Sequence, residues 1–277
     1  MDTITLFFGG DICGSLGLDI AVRTIPGLIK EEALDFIIVN GENAAQGSGI
    51  DPEQTARLFA AGVDVITGGN HSLERFDLRE KFGREPRILR PANYPFAPGS
   101  GSITVHKPQG SLRVLNLQGR ENMRPIDCPF QVADSLLQET YEGITVVDFH
   151  AESVREKEAL AYYLDGRVSC VFGSHTHTQT ADERILPCGT GYISDAGMIG
   201  ALQSIIGGSI KTALTRSLTL VPQSFDMPTR GGALFCGIIA SVSRNTKKTV
   251  SLKRIYKIIN DIPTPSYSEE PASLNIH

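Results

Sequence analysis

From Thr3 to Phe172, short β-rich runs alternate with helical segments, and this alternation limits the fold more than any other feature of the chain. Thr3–Phe8, Asp35–Val39, Val63–Thr67, Leu112–Leu117, Thr145–Phe149 and Val168–Phe172 are predicted strands. Strands separated by helices need crossover connections, so a mainly parallel sheet is expected. Asp51-Pro52-Glu53 begins a helix with an N-cap and a first-turn proline, and Gly62 closes it in a left-handed cap. Ser153-x-x-Glu156 is a predicted capping box for a helix that ends by Gly166. From Gly191 onward, Tyr192–Ser194, Leu234–Val242 and Val250–Tyr256 follow without long helices between them, with a turn at Arg244-Asn245-Thr246, and antiparallel pairing is expected there. Residues 1–262 are read as one domain and 263–277, rich in proline and serine, as a loose tail.

Composition narrows the function. With 41% hydrophobic and 21% charged residues the chain is an ordinary globular protein, and a formal net charge of −5 gives no bulk attraction to a polyanion. A nucleic-acid scaffold is disfavoured; a small nucleotide substrate is not. The five cysteines are widely spaced, without a C-x-x-C pair, which fits a reducing compartment. The apolar stretch Ile4–Phe8 has no basic leader and is too short for a signal h-region or a membrane span. A cytoplasmic protein with no membrane contact is expected.

Five predicted strands run into residues that bind hard or borderline metals: Gly9-Gly10-Asp11, Asn40-Gly41-Glu42-Asn43, Gly68-Gly69-Asn70-His71, His150, and Gly173-Ser174-His175-Thr176-His177. In a parallel sheet the carboxyl ends share one edge, where ligands of α/β proteins bind, so all five should converge. Four of the six histidines lie in these clusters. Taken singly, each cluster reads equally well as a turn, a helix cap or a core histidine. His175-x-His177 is stronger, because alternate residues of an extended segment face the same way. Carboxylate, amide and imidazole donors without thiolate suit iron, manganese or zinc rather than magnesium or a structural zinc.

In their order and wording these motifs resemble the calcineurin-like metallophosphoesterases, and among them the YmdB-like family. The resemblance rests on Gly-Asp-Ile-x-Gly at 10–14, Asn-Gly-Glu-Asn-Ala-Ala at 40–45, Gly-Asn-His at 69–71 and Arg-Pro-Ala-Asn-Tyr-Pro at 90–95. It continues in Asn-Leu-Gln-Gly-Arg at 116–120, Asp-Phe-His-Ala-Glu at 148–152 and the run from Thr176 to Pro187, and spans roughly residues 3–260. It implies a four-layer α/β/β/α sandwich with a site at one edge of two packed sheets. It further implies a first metal on Asp11, Asn43, His177 and a bridging Glu42, and a second on Glu42, Asn70, His150 and His175. His71 is then left to stabilise charge or protonate the leaving alcohol. The implied activity is hydrolysis of 2′,3′-cyclic nucleotides or related small phosphodiesters by a hydroxide bridging the two ions, iron or manganese before zinc.

Position 13 is Cys where the wider superfamily has His, and the bridging acid is Glu42 rather than Asp. Ser72-Leu73-Glu74 stands where the narrower family tends to have Thr-Trp-Asp, a departure on the substrate rim rather than among the ligands. Arg90, Asn93, Arg120, Asp182 and Arg184, also in family-like motifs, read as substrate contacts or as braces. A phosphomonoesterase or phosphoprotein phosphatase with the same metals stays open, as does a non-catalytic nucleotide- or RNA-binding regulator. RNA contact and homo-oligomerisation are likewise open.

Overall fold

The computed structural model describes residues 2–74, 85–223 and 226–260, so the expected tail at 263–277 lies outside the described residues. Its parallel strands divide between two six-stranded sheets. In the first, β1 (Thr3–Cys13), β2 (Phe36–Asn43) and β3 (Val65–Thr67) run parallel at one side. β10 (Met198–Ala201), β11 (Ala233–Ser243) and β12 (Thr249–Ile259) complete the order β12-β11-β10-β1-β2-β3. The second sheet has the order β4-β5-β6-β7-β9-β8. Its members are β4 (Ser102–Lys107), β5 (Gly110–Gln118), β6 (Ile144–His150), β7 (Cys170–Ser174), β8 (Arg184–Ile185) and β9 (Gly191–Ile193).

Residues two apart on a strand face the same way, and this period sorts the core. Ile4, Leu6 and Phe8 of β1, with Phe36, Ile38 and Val65, pack against Leu112, Val114, Ile144, Val146 and Phe172 of the other sheet. The Phe8 and Phe172 rings meet at 5.5 Å between centroids. Phe7, Ile37 and Val39 point oppositely and bury against Leu16, Ile20, Ile25 and Leu28 of α1 (Gly14–Glu31) and Leu58 of α2 (Pro52–Ala60). On the far side of the second sheet, Leu115, Leu117, Val147, Phe149 and Val171 pack with Ala133 of α3 (Pro129–Leu136) and Leu160 and Ala161 of α4 (Val154–Tyr163). Burying one such side chain stabilises by about 1.5–3 kcal/mol, which is why strands covered on both faces read as unbroken apolar runs.

Several expectations are met residue by residue. Asp51 caps α2 in a reciprocal box with Gln54, Gly62 sits at φ +100° and Gly166 at φ +81°, and residues 244–246 turn β11 into β12. Others change. Ser153 accepts from the Glu156 amide, but the Glu156 carboxylate bonds the amides of Arg120 and Glu121 instead of returning to the cap, so the predicted box is one-sided. β11 and β12 are antiparallel as expected, whereas β9 lies parallel to β7 and β10 parallel to β1. β1 and β2 do not stop before their motifs: register shifts between Gly9 and Asp11 and between Asp11 and Cys13 carry pairing through Asp11 to Asn43. A bulge of this kind re-aims a side chain without ending the strand.

Candidate metal centre

The carboxyl ends of β1, β2, β3, β6 and β7 meet at one edge, and a buried polar seam ties the two sheets together there. The Asn40 side-chain amide donates to the Gly68 carbonyl and to Asp148 (3.3 and 3.1 Å). Asn116 bonds both the amide and the carbonyl of Gly68 at 3.0 Å. Asn40, Asn116, Asp148 and Ser174 are all fully buried, so these bonds satisfy groups that would otherwise cost about 1–3 kcal/mol each.

His150 ends β6, two residues after Asp148 and on the same face. Its Nδ1 lies 3.0 Å from the Ser174 hydroxyl, which donates its own proton to Asp148 at 2.6 Å. The hydroxyl therefore accepts from Nδ1–H, and a neutral His150 keeps its lone pair on Nε2. Around that Nε2 stand Glu42 Oε1 at 2.9 Å, Asn70 Oδ1 at 3.0 Å and His175 Nδ1 at 3.0 Å. With the His175 proton on Nε2, which faces Glu152 at 3.1 Å, its Nδ1 is an acceptor, and even a protonated His150 has one Nε2–H for three acceptors. A bound cation would resolve the conflict, and Glu42, His150 and His175 form a group able to hold one.

Next to this group Asp11 Oδ2 accepts from the His175 amide at 3.1 Å, while its Oδ1 is buried without a hydrogen-bond partner. His177 Nε2 and His150 Nδ1 approach that orphaned oxygen at 4.0 and 3.8 Å. His177 Nδ1 donates to the Ile206 carbonyl at 2.7 Å, so its lone pair is again on Nε2. Asn43 faces both sides of the site, its side-chain nitrogen 3.1 Å from His177 Nε2 and 3.3 Å from Glu42 Oε1. A half-turn of that amide presents its oxygen instead.

Two of the candidate ligands are held in the form that binds a cation, Glu42 ionised and His175 neutral. Burial pushes the Glu42 carboxyl up, but the charge and hydrogen bond of His150 together with His71 outweigh it and hold the group down at about 2. His175 is brought down to about 3 by burial and by neighbouring His150. Asp148 rises to about 7 because burial exceeds the opposing pull of His150. The backbone is also packed tightly against these groups. A Cβ on Gly69 would overlap His150 Cδ2, His150 Nε2 and Glu42 Oε2, so only glycine lets these two side chains come this close.

All seven ligands expected from the sequence reach this edge, but not as the extended geometry implied. His175 and His177 take φ of +100° and +62°, and turn to different parts of the site instead of facing one way along a strand. The turn is braced from below by Asp195, which accepts from the Thr176 amide and hydroxyl (3.0 and 2.8 Å) and pairs with Lys157 at 2.9 Å, both charges being buried. His71 lies in a turn. Its amide donates to Glu42 Oε2 at 3.0 Å, while its Nδ1 pairs with Glu74 at 2.8 Å, away from the cluster.

Arg90, Asn93, Asp182 and Arg184 are braces. Arg90 bonds the carbonyls of Pro91, Ala97, Pro98 and Gly99. Asn93 joins Gln118 to Asp127, Asp182 takes the Ser194 amide, and Arg184 pairs with Glu158. Arg120 is held through its amide by Glu156. The motifs do not single out Asp148, Ser174, Asp195 and Glu74 for these supporting tasks, although the two-residue step from Asp148 to His150 is a usable signal.

Comparison with known proteins follows the same motifs. The profile described as YmdB-like protein matches residues 6–255. A 2′,3′-cyclic-nucleotide 2′-phosphodiesterase of Bacillus subtilis (strain 168) is 42% identical over 260 residues, covering 92% of this chain and 97% of its own. A crystal structure described as a novel phosphatase of Mycoplasma pneumoniae superposes with a TM-score of 0.88 at 32% identity, over 94% of this chain and 95% of that one. A hypothetical protein of Thermus thermophilus does so with a TM-score of 0.86 at 36% identity, over 92% and 100%. The match spans nearly the whole chain and takes in every motif at the sheet edge, and the chain belongs to the YmdB-like family.

Proposed function

We propose that this chain is a dimetal phosphodiesterase acting on 2′,3′-cyclic nucleotides or related small diesters, on a four-layer α/β/β/α frame. The observation that carries the reading is His150 Nε2 confronted by three acceptors within 3.0 Å, beside a buried and unpartnered Asp11 oxygen. Asp11, Asn43, His177 and Glu42 would hold one ion, and Glu42, Asn70, His150 and His175 the other. The oxygen and nitrogen donor set favours iron or manganese, with zinc next. Two such ions, when bound, offset phosphate charge and lower the pKa of a coordinated water toward neutrality. Five free cysteines support a reducing, cytoplasmic setting, and among the described residues no helix is long and apolar enough to cross a membrane.

Hydrolysis joins a water oxygen to phosphorus, breaks one ribose P–O bond and delivers a proton to the departing oxygen. His71 suits the last task. Glu74 fixes its Nδ1, Ser48 in turn donates to Glu74 at 2.6 Å, and the ring is thereby oriented with Nε2 making no hydrogen bond among the described residues. His71→Ala should lower kcat on a cyclic nucleotide by roughly 10² to 10⁴, the range for general acid catalysis, and much less on a p-nitrophenyl ester. Metal content should persist, because His71 reaches Glu42 through its backbone amide, which alanine retains. Equal losses on both substrates would assign His71 to charge stabilisation instead, and loss of an ion would make it a support of the centre.

A substrate panel tests the function itself. Metal-loaded protein should turn over bis-p-nitrophenyl phosphate and 2′,3′-cyclic nucleotides faster than p-nitrophenyl phosphate. A clear advantage for the monoester would make the chain a phosphomonoesterase.

A further inference from the structure

A cavity of about 330 Å³ adjoins the centre, lined by Asn70, Leu73, Glu74, Tyr94, Pro98 and Arg124. Two of these residues touch the site already described: Asn70 through His150, and Glu74 through His71. The rest of the lining is of another character. Leu73, Tyr94 and Pro98 give it apolar walls, and Arg124 adds a planar cation whose charge also reaches Glu74 and Tyr94. This volume is at the lower end of small-molecule sites, room for one ring system rather than a run of nucleotides.

The wall carrying Tyr94 is built to keep its shape. The Arg90 guanidinium bonds four carbonyls of the 91–99 loop, and Asn93 pins the same loop to Gln118 and Asp127. The Tyr94 hydroxyl donates to Gln118 Oε1 at 3.0 Å, which fixes the ring. Phe96 of this loop stands fully exposed at φ +54°, a conformation unfavourable for a bulky residue and held by the same brace. An aromatic ring fixed in advance loses little freedom when a ligand stacks on it.

We propose that this cavity receives the nucleobase of the substrate, with Tyr94 as its stacking face, Leu73 setting its depth and Arg124 meeting the polar edge of the base. The proposal rests on the phosphodiesterase reading for the reaction, but base recognition is separable from turnover. Stacking accepts any base, because each has a π-face, so discrimination among bases should be weak and preference for a base over none should be strong.

Equilibrium binding of adenosine 3′-monophosphate and of inorganic phosphate to metal-loaded protein tests this without catalysis. The wild-type chain should bind the nucleotide more tightly than phosphate. Tyr94→Ala, which removes the ring, and Leu73→Trp, which fills the cavity, should each cut that affinity ratio by roughly 5- to 150-fold, the span expected for losing one base–aromatic stack. Tyr94→Phe should keep most of the ratio, because the ring remains. Phosphate affinity serves as the internal measure that the centre is intact in every variant. Equal wild-type affinities for the two ligands, or ratios unchanged in both disruptive variants, would overturn the proposal. A nucleotide preference that responds as expected, in a protein that hydrolyses no diester, would leave the cavity assigned and sink the proposed reaction.

Discussion

Glu42→Gln should lower turnover of a phosphodiester by roughly 10³-fold, about 4 kcal/mol of transition-state stabilisation. The wild-type carboxylate is 2% exposed, with Oε1 at 2.9 Å from His150 Nε2 and Oε2 accepting the His71 amide at 3.0 Å. Glutamine removes the negative charge that two cations would share. Its NH₂ group would also have to point either at the His71 N–H, donor against donor, or toward the other candidate ligands. Assays over a range of added metal separate the causes. If the loss is weakened binding, excess metal restores turnover; if it is lost charge at the reacting centre, it does not. Full turnover with two ions retained would show that Glu42 does not bridge.

Gly69→Ala should have an effect out of proportion to one methyl group, with metal content falling below two ions per chain and kcat by about 10 to 10², the scale seen when supports of a metal site are disturbed. The added Cβ would overlap His150 Cδ2 and Nε2 and Glu42 Oε2, and neither partner can yield. His150 is fully buried and held by Ser174, and Glu42 is held by the His71 amide. Gly27→Ala is the matched control. In exposed helical surface, its Cβ would meet nothing nearer than a Glu31 carboxylate oxygen at 4.0 Å, so activity and metal content should not change. A Gly69→Ala enzyme with normal metal content would mean that the placing of Glu42 and His150 against Gly69 does not govern where the ions bind.

How far each element is legible in the sequence follows from its physics. Asp11, Glu42, Asn43, Asn70, His150, His175 and His177 group together on sequence alone, because parallel strands bring their carboxyl ends to one edge. The strand cores are legible because Ile4, Leu6 and Phe8 against Phe7, Ile37 and Val39 obey a two-residue period. Less legible is α1, which contains Gly14, Gly17 and Pro26, all poor helix formers. Gly17 is there because a side chain would collide with the Ile199 carbonyl, a tertiary reason that local propensity does not contain. The left-handed turns at His175 and His177 are hidden for the same cause. They depend on Asp195 and Lys157 from elsewhere in the chain, and no local spacing reports them. β8, two residues long, and β10, four residues long, carry too little pattern to be recognised alone.

Elemental analysis of the purified active protein, paired with diesterase activity before and after chelation, tests the central claim most directly. The account predicts close to two transition-metal ions per chain, loss of activity as they are withdrawn and its return when iron or manganese is restored. A protein that contains one ion or none and cleaves the diester at an undiminished rate after chelation would contradict it.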